Sequence, residues 1–373
     1  MSRFTRRAGL FALLASLLLS NVAQADDERD PSITLYTASN GTAANVVLSF
    51  AQRGNGTLLA GPSYATGGRG TGAGLGNQNG LILSQDERFL LAVNAGSNDV
   101  SVFQVREREL RLVGTSPSGG VRPVSIAVDR DLVYVLNAGS DDISGFQLGE
   151  SGRLYPLAGS RRTLSGTGVA AAEIAFSPDG RTLVVTERAT NNILTFPVDR
   201  SGLATGKNVI ASQGQTPFGF SFSKRRQLII SEAAGGAANA SSASSYRLGQ
   251  DGSLTVLSAV VPTLQSAACW VVVTPDGRLA FVSNTGSATI SAYRVSGAGH
   301  LQLLKPDGIS ATTGAGPIDL ALSSDGRILF SLNGAGKSVD AFRVRANGDL
   351  AALGSVAGLP AGANGLVALR QDD

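Results

Sequence analysis

From residue 32 onward, short apolar runs alternate with turns rich in Gly, Ser, Asp and Asn. Runs such as SIAV (125–128), EIAF (173–176) and DLAL (319–322) are too short for helices. No stretch keeps the i, i+3, i+4, i+7 spacing of an amphipathic helix, so the pattern predicts short β-strands. Many runs are apolar at successive positions rather than alternating, which predicts sheets buried on both faces. The turns are specific: SPDG (177–180), TPDG (274–277) and SSDG (323–326), with SQDE (84–87) a degenerate form. Asp-Gly between apolar runs is a strong hairpin signal, because Gly takes a positive φ without steric cost.

The runs repeat as a unit. VNAGSNDVSVFQV (93–105) returns as LNAGSDDISGFQL (136–148), and weaker copies occupy 37–50, 185–196, 230–246, 282–293 and 331–342. The closing aromatics are Phe50, Phe103, Phe146, Phe196, Tyr246, Tyr293 and Phe342, spaced 53, 43, 50, 50, 47 and 49 residues apart. Each unit holds four apolar runs separated by turns. A four-stranded antiparallel sheet with two apolar faces cannot bury them alone, but seven arranged radially bury one another. The expected fold is therefore all-β: a seven-bladed β-propeller over residues 32–373 with four antiparallel strands per blade. The start, SITLYTAS, matches a second strand and the end, ANGLVALR, a first strand. Ring closure by a C-terminal first strand pairing with N-terminal strands is predicted.

Residues 1–25 read differently. Arg3, Arg6 and Arg7 precede an apolar run, Ala8 to Leu19, and Ala23-Gln24-Ala25 is a small-residue cleavage site. This predicts a secretory signal peptide cleaved after Ala25, a short acidic tail over 26–31, and a periplasmic or secreted chain. The Arg6-Arg7 pair also allows twin-arginine export. The leader accounts for the basic balance. The chain has 31 Lys+Arg against 28 Asp+Glu, and three of the basic residues lie in the leader, leaving 28 against 28. No basic stripe remains, so no nucleic acid partner is expected. No membrane span is expected either, and a monomer is. Cys269 is the only cysteine, which excludes an internal disulfide and predicts a buried, inert thiol among small apolar neighbours.

Topology predicts where chemistry would sit. Connections into strand one and the second-to-third turns share one face and are the longer ones, such as GGRGTGAGLGNQNG (67–80). That loop face is where a ligand or protein partner is expected. GTGAGLG (70–76) opens no helix, so it reads as a flexible connection rather than a dinucleotide loop. Residues entering strand one align as an inner ring: Gly80, Ser125, Glu173, Gly219, Trp270, Asp319 and Gly365. Those ending strand two form a second ring: Asn40, Asn94, Asn137, Glu187, Glu232, Asn284 and Asn333. Amides and carboxylates at strand ends can satisfy turn backbone groups. Gathered carboxylates can also raise one another's pKa, supply a general base, or attract a cation. Trp270 reads equally as core or as an aromatic platform for a ligand. No metal-ligand spacing is present and no cofactor is expected. His300, the single histidine, is placed at a surface turn on the opposite face, so no Ser-His-Asp triad can form.

Units of the form "IAxSPDGRxLxVxN…VSxF" resemble those of lactonase-type seven-bladed propellers, the group that includes propeller 6-phosphogluconolactonases and carboxymuconate cyclases. The resemblance spans nearly all of residues 32–373. It implies lactone chemistry on anionic substrates, with a blade similar to "GPRHxxFxPDG…VNE". The matching stretch is VAAAEIAFSPDGRTLVVTE (169–187). Glu187 matches the family Glu, but Ala172 stands for the Arg and Glu173 for the His. Thr285 stands where "SNR" has Arg, and GPIDL (316–320) lacks the Arg of "QPRGF". Two functions follow. One is a binding scaffold whose catalytic set is lost, with Trp270, Asp319, Glu232, Asn94, Asn137, Asn284 and Asn333 as candidate binding residues. The other is a lactonase-like enzyme with Glu187 or Glu173 as base and Arg188 as anchor. Export would argue against a sugar-phosphate substrate.

Overall fold

The structure is a computed structural model that describes residues 33–53, 56–107, 109–223 and 225–370. The signal peptide and acidic tail expected over 1–31 lie outside the described residues. Seven antiparallel sheets form the blades of a ring, numbered here 1 to 7 in chain order. Blade 4 shows the plan: Ala171–Phe176, Thr182–Glu187, Asn192–Pro197 and Asn208–Ala211 run from the axis outward. In blades 3 and 6 the outer strand is broken into two pieces, Leu154–Pro156 with Arg162–Thr163 and Leu301–Leu303 with Ala311–Thr312. Local chemistry explains both breaks. Ser160 Oγ, not a strand carbonyl, accepts the Gly145 N–H at 2.9 Å, and Pro306 has no N–H to offer. There is no α-helix among the described residues.

The ring closes as the termini predict. Asn364–Arg370 pairs antiparallel with Ile33–Ala38 and becomes the inner strand of blade 1. The four repeated turns share one device: Ser84, Ser177, Thr274 and Ser323 each donate a hydroxyl hydrogen bond of 2.6–2.7 Å to the Asp two residues on. The closing aromatics are all buried, from 0 to 5% exposed, and wedge apolar residues of neighbouring blades together.

A local irregularity aims the axial residues. In blades 1, 3, 4, 5, 6 and 7 the register of strands one and two shifts just inside the strand start, as between Ala171 and Glu173. A bulge of this kind bends the strand and re-aims a side chain. It falls at the inner ring found in the sequence.

Candidate functional site

The axis is closed by a plug. Residues 67–80, which link blades 1 and 2, drop into the channel instead of forming a flexible connection. Leu75, Asn77 and Gln78 are buried. Gln78 Nε2 donates to the Val271 carbonyl at 2.9 Å, and its Oε1 accepts the Val271 N–H at 3.1 Å. Gln78 N donates to the Ala172 carbonyl at 3.1 Å. Asn77 faces Asn364 amide to amide, with Asn364 Nδ2 donating to Asn77 Oδ1 at 2.8 Å. Trp270 Nε1 donates to the Asn77 carbonyl at 2.7 Å, and Ile126 N to the Asn79 carbonyl at 2.9 Å. Four blades thus hold one loop. The plug also explains ring glycines: a Cβ on Gly219 would lie 2.2 Å from Gln78 Oε1, and one on Gly80 2.6 Å from Asn364 Oδ1. The signal for the plug in the sequence is Asn77-Gln78-Asn79, three consecutive amides that each carry donors and an acceptor.

The second ring serves the hairpins. Asn94, Asn137, Asn284 and Asn333 are buried, and each Nδ2 donates to Asp99, Asp142, Thr289 and Ser338 respectively, at 2.6–3.1 Å. Asn40 is a correction: strand two of blade 1 ends at Ala38, and Asn40 sits one place beyond the equivalent Ser39. Its Nδ2 donates to the Ala73 carbonyl at 2.7 Å and so anchors the plug loop. Asn45 takes the interblade role instead, donating to Asn94 Oδ1 at 2.9 Å.

Glu187 and Glu232 occupy the same ring position and are 0% exposed. Glu187 accepts the Ser165 N–H at 2.9 Å, the Thr190 hydroxyl at 2.6 Å, and the Ser165 hydroxyl. Glu232 accepts the Gly214 N–H at 2.9 Å and the Ser242 hydroxyl. Burial raises the pKa of Glu232, against the pull of those donors. Both carboxylates therefore fasten the incoming connection of their blade.

Arg188 follows Glu187 but points elsewhere. Its guanidinium stacks 4.9 Å from the Phe218 ring centroid, and Nε donates to the Ala170 carbonyl at 3.0 Å. It forms no ion pair among the described residues. Burial lowers its pKa, and the Arg122 charge on the same face adds to that. Trp270 is core, not platform: it is 3% exposed and packs 5.0 Å from Phe218. Cys269 is buried, with its thiol pushed up to about 11 by burial. His300 is exposed and bonds the Leu257 carbonyl through Nδ1.

Glu173 and Asp319 lie on the other side of the plug. They line a chamber of about 310 Å³ with Gln78, Asn79 and apolar residues that include Phe176 and Phe222. Glu187, Arg188, Glu232 and the ring asparagines do not line it. Glu173 accepts Asn79 Nδ2 at 2.7 Å and Phe220 N at 2.6 Å. Burial raises its pKa well above the carboxylate range, and the Asp319 charge pushes it further. Burial raises Asp319 as strongly. Among the described residues no group of three His, Cys, Asp or Glu side chains could hold a metal ion.

A closed ring of seven four-stranded blades with its axis plugged defines the class. The sequence matches the model of the lactonase, 7-bladed beta-propeller family over residues 46–170, 160–266 and 236–369, and the chain belongs to that family. No curated protein matches it. Among solved structures, it is similar to a candidate 6-phosphogluconolactonase from Bacteroides uniformis, with 20% identity, TM-score 0.72, and coverage of 90% of this chain and 99% of that one. It is also similar to the periplasmic gluconolactonase of Pseudomonas aeruginosa, with 16% identity, TM-score 0.68, and coverage of 89% and 98%. Hydrazine synthase of Kuenenia stuttgartiensis shares the fold at 16% identity and TM-score 0.59, covering 83% and 94%. At such identities the likeness is one of fold, and a fold this widely used leaves function to the site.

Proposed function

We propose that this chain is an exported binding propeller of the lactonase family whose catalytic set has been lost. It would take a small polar ligand or a protein partner on the loop face. The observation that carries this reading is the state of Glu187. It is the carboxylate that matches the family motif, yet it is fully buried and spends both oxygens on Ser165 and Thr190. A general base must reach the proton it abstracts. Glu173, the other candidate, is buried beneath the plug and lines a chamber that Glu187 and Arg188 do not line. Arg188, with no carboxylate partner, is a ready contact for an anionic group on that face. Export rests on the leader at 1–25.

One observation favours the enzymatic alternative. Arg188 is adjacent to Glu187, so an opened loop at Ser165 would pair a base with an anchor. Hydrolysis of gluconolactone, its 6-phosphate and a muconolactone by residues 26–373, beside Glu187→Gln and Glu173→Gln, separates the two. The binding reading expects turnover at the spontaneous rate from all three proteins. Turnover well above that rate, abolished by Glu187→Gln in a folded variant, would establish the enzyme instead.

A further inference from the structure

The chamber beneath the plug has a composition that the loop-face reading does not use. Its closed end carries two carboxyl groups, Glu173 at 1% and Asp319 at 4% exposure. Among the described residues no Lys, Arg or His lines it, and these two are its only titratable groups. Each Glu173 oxygen accepts one N–H, which leaves a lone pair free on each. Asp319 has no side-chain partner: backbone amides of Leu320, at 2.8 Å, and Leu366 are its donors. A buried acidic side chain turned toward a cavity, with nothing cationic beside it, lacks the partner that buried charges normally have. The repulsion between the two acids adds to the demand for a positive charge.

The walls narrow the class of ligand. Phe176, Phe222 and Val272 are half-buried and apolar, and they run toward the face of the SPDG-type turns. Calcium takes six to eight oxygen ligands and magnesium keeps several waters, neither of which these walls supply. An ammonium group has three N–H donors for two carboxylates, and aromatic rings favour a nearby cation. We propose that this chamber binds a small organic ammonium ion, with the charged nitrogen between Glu173 and Asp319 and an apolar body against the phenylalanines. The site opens on the face opposite Arg188 and stands independently of the loop-face reading.

The probe is benzylammonium, titrated calorimetrically at pH 7 into residues 26–373, beside benzyl alcohol and benzoate. Saturable 1:1 binding of benzylammonium alone is expected. Asp319→Asn should weaken it by about tenfold or more, the loss of one charge-assisted hydrogen bond, and Glu173→Gln is the second variant should the first unfold. Burial raises the pKa of both acids and a bound ammonium would lower it, so binding should release protons, read from the dependence of the heat on buffer ionisation. Absence of binding overturns the proposal. So does equal binding of benzyl alcohol, or benzylammonium affinity unchanged in a folded variant.

Discussion

Gln78→Leu tests whether the plug holds the ring together. Leucine keeps the bulk in the channel and removes the hydrogen bonds. The variant leaves the Val271 N–H and carbonyl without the partners that Gln78 supplies at 3.1 and 2.9 Å, at a residue 0% exposed. The bond to the Phe220 carbonyl is long, at 3.4 Å, and adds little. A buried polar group left unpaired costs about 1–3 kcal/mol, so two give roughly 2–6 kcal/mol. At about 2.1 cal/mol/K per residue, a ring of roughly 340 residues unfolds with an entropy near 0.7 kcal/mol/K. The melting temperature should therefore fall by about 3–9 °C in differential scanning calorimetry. Gln85→Leu is the control, because Gln85 is exposed and bonds only Asp129 and, at a long 3.4 Å, the Arg130 N–H; it should stay within about 0.5 kcal/mol of the parent. A Gln78→Leu melting temperature within 1 °C of the parent would refute the reasoning, since the amides would then be ornaments on a ring stable without them.

Three further outcomes are expected. Removing 364–373 deletes the inner strand of blade 1 and exposes the edge of Ile33–Ala38, so the truncated chain should lose its cooperative thermal transition; a sharp transition at the parent temperature would count against the latch. Trp270 is the only tryptophan and is 3% exposed, so its fluorescence should be blue-shifted and poorly quenched by acrylamide, and Trp270→Phe should destabilise by about 1–3 kcal/mol through the unpaired Asn77 carbonyl. Glu173 and Asp319 have folded-state pKa values raised above the ordinary 4.5 and 3.8. Their stabilising contribution is thus complete below the unfolded values and is lost as pH rises through the folded ones. Urea midpoints of the parent should fall from pH 5 to pH 8 more steeply than those of Asp319→Asn, and equal slopes would contradict that assignment.

The fold was legible because its signals are local and repeated. Asp179, Asp276 and Asp325 make the same turn by the same short-range bond, and one aromatic per unit marks the wedge between blades. The inner ring was legible by position, since the strand-one bulge recurs in six blades. The plug was not. Its bonds join residues 33 to 287 positions apart, from Asn40–Ala73 to Asn77–Asn364, and several end on backbone atoms, which leave no mark on residue type. A glycine run reads as freedom when its partners are distant backbone carbonyls. The one-residue displacement of Asn40 has a similar origin: an extra residue in the first hairpin moved the structural role to Ser39 and Asn45.

The plug also divides the axis by charge. On its loop side Arg188 approaches the glycine loop, its guanidinium 3.0 Å from where a Cβ on Gly76 would sit. On the turn side are Glu173 and Asp319, with no basic residue lining their chamber among the described residues. Relatives that the sequence resembles place His and Arg at positions held here by Glu173, Ala172 and Thr285. The bulge that aims strand one is a property of the fold, but the sign of what it aims is set residue by residue. Here Glu173 stands where the resemblance places His, Ala172 and Thr285 are neutral where it places Arg, and Arg188 stands outside the axial ring on the loop face. If both proposals hold, the two ends of the channel are separate sites with opposite preference, and the amides of Asn77, Gln78 and Asn79 keep them so.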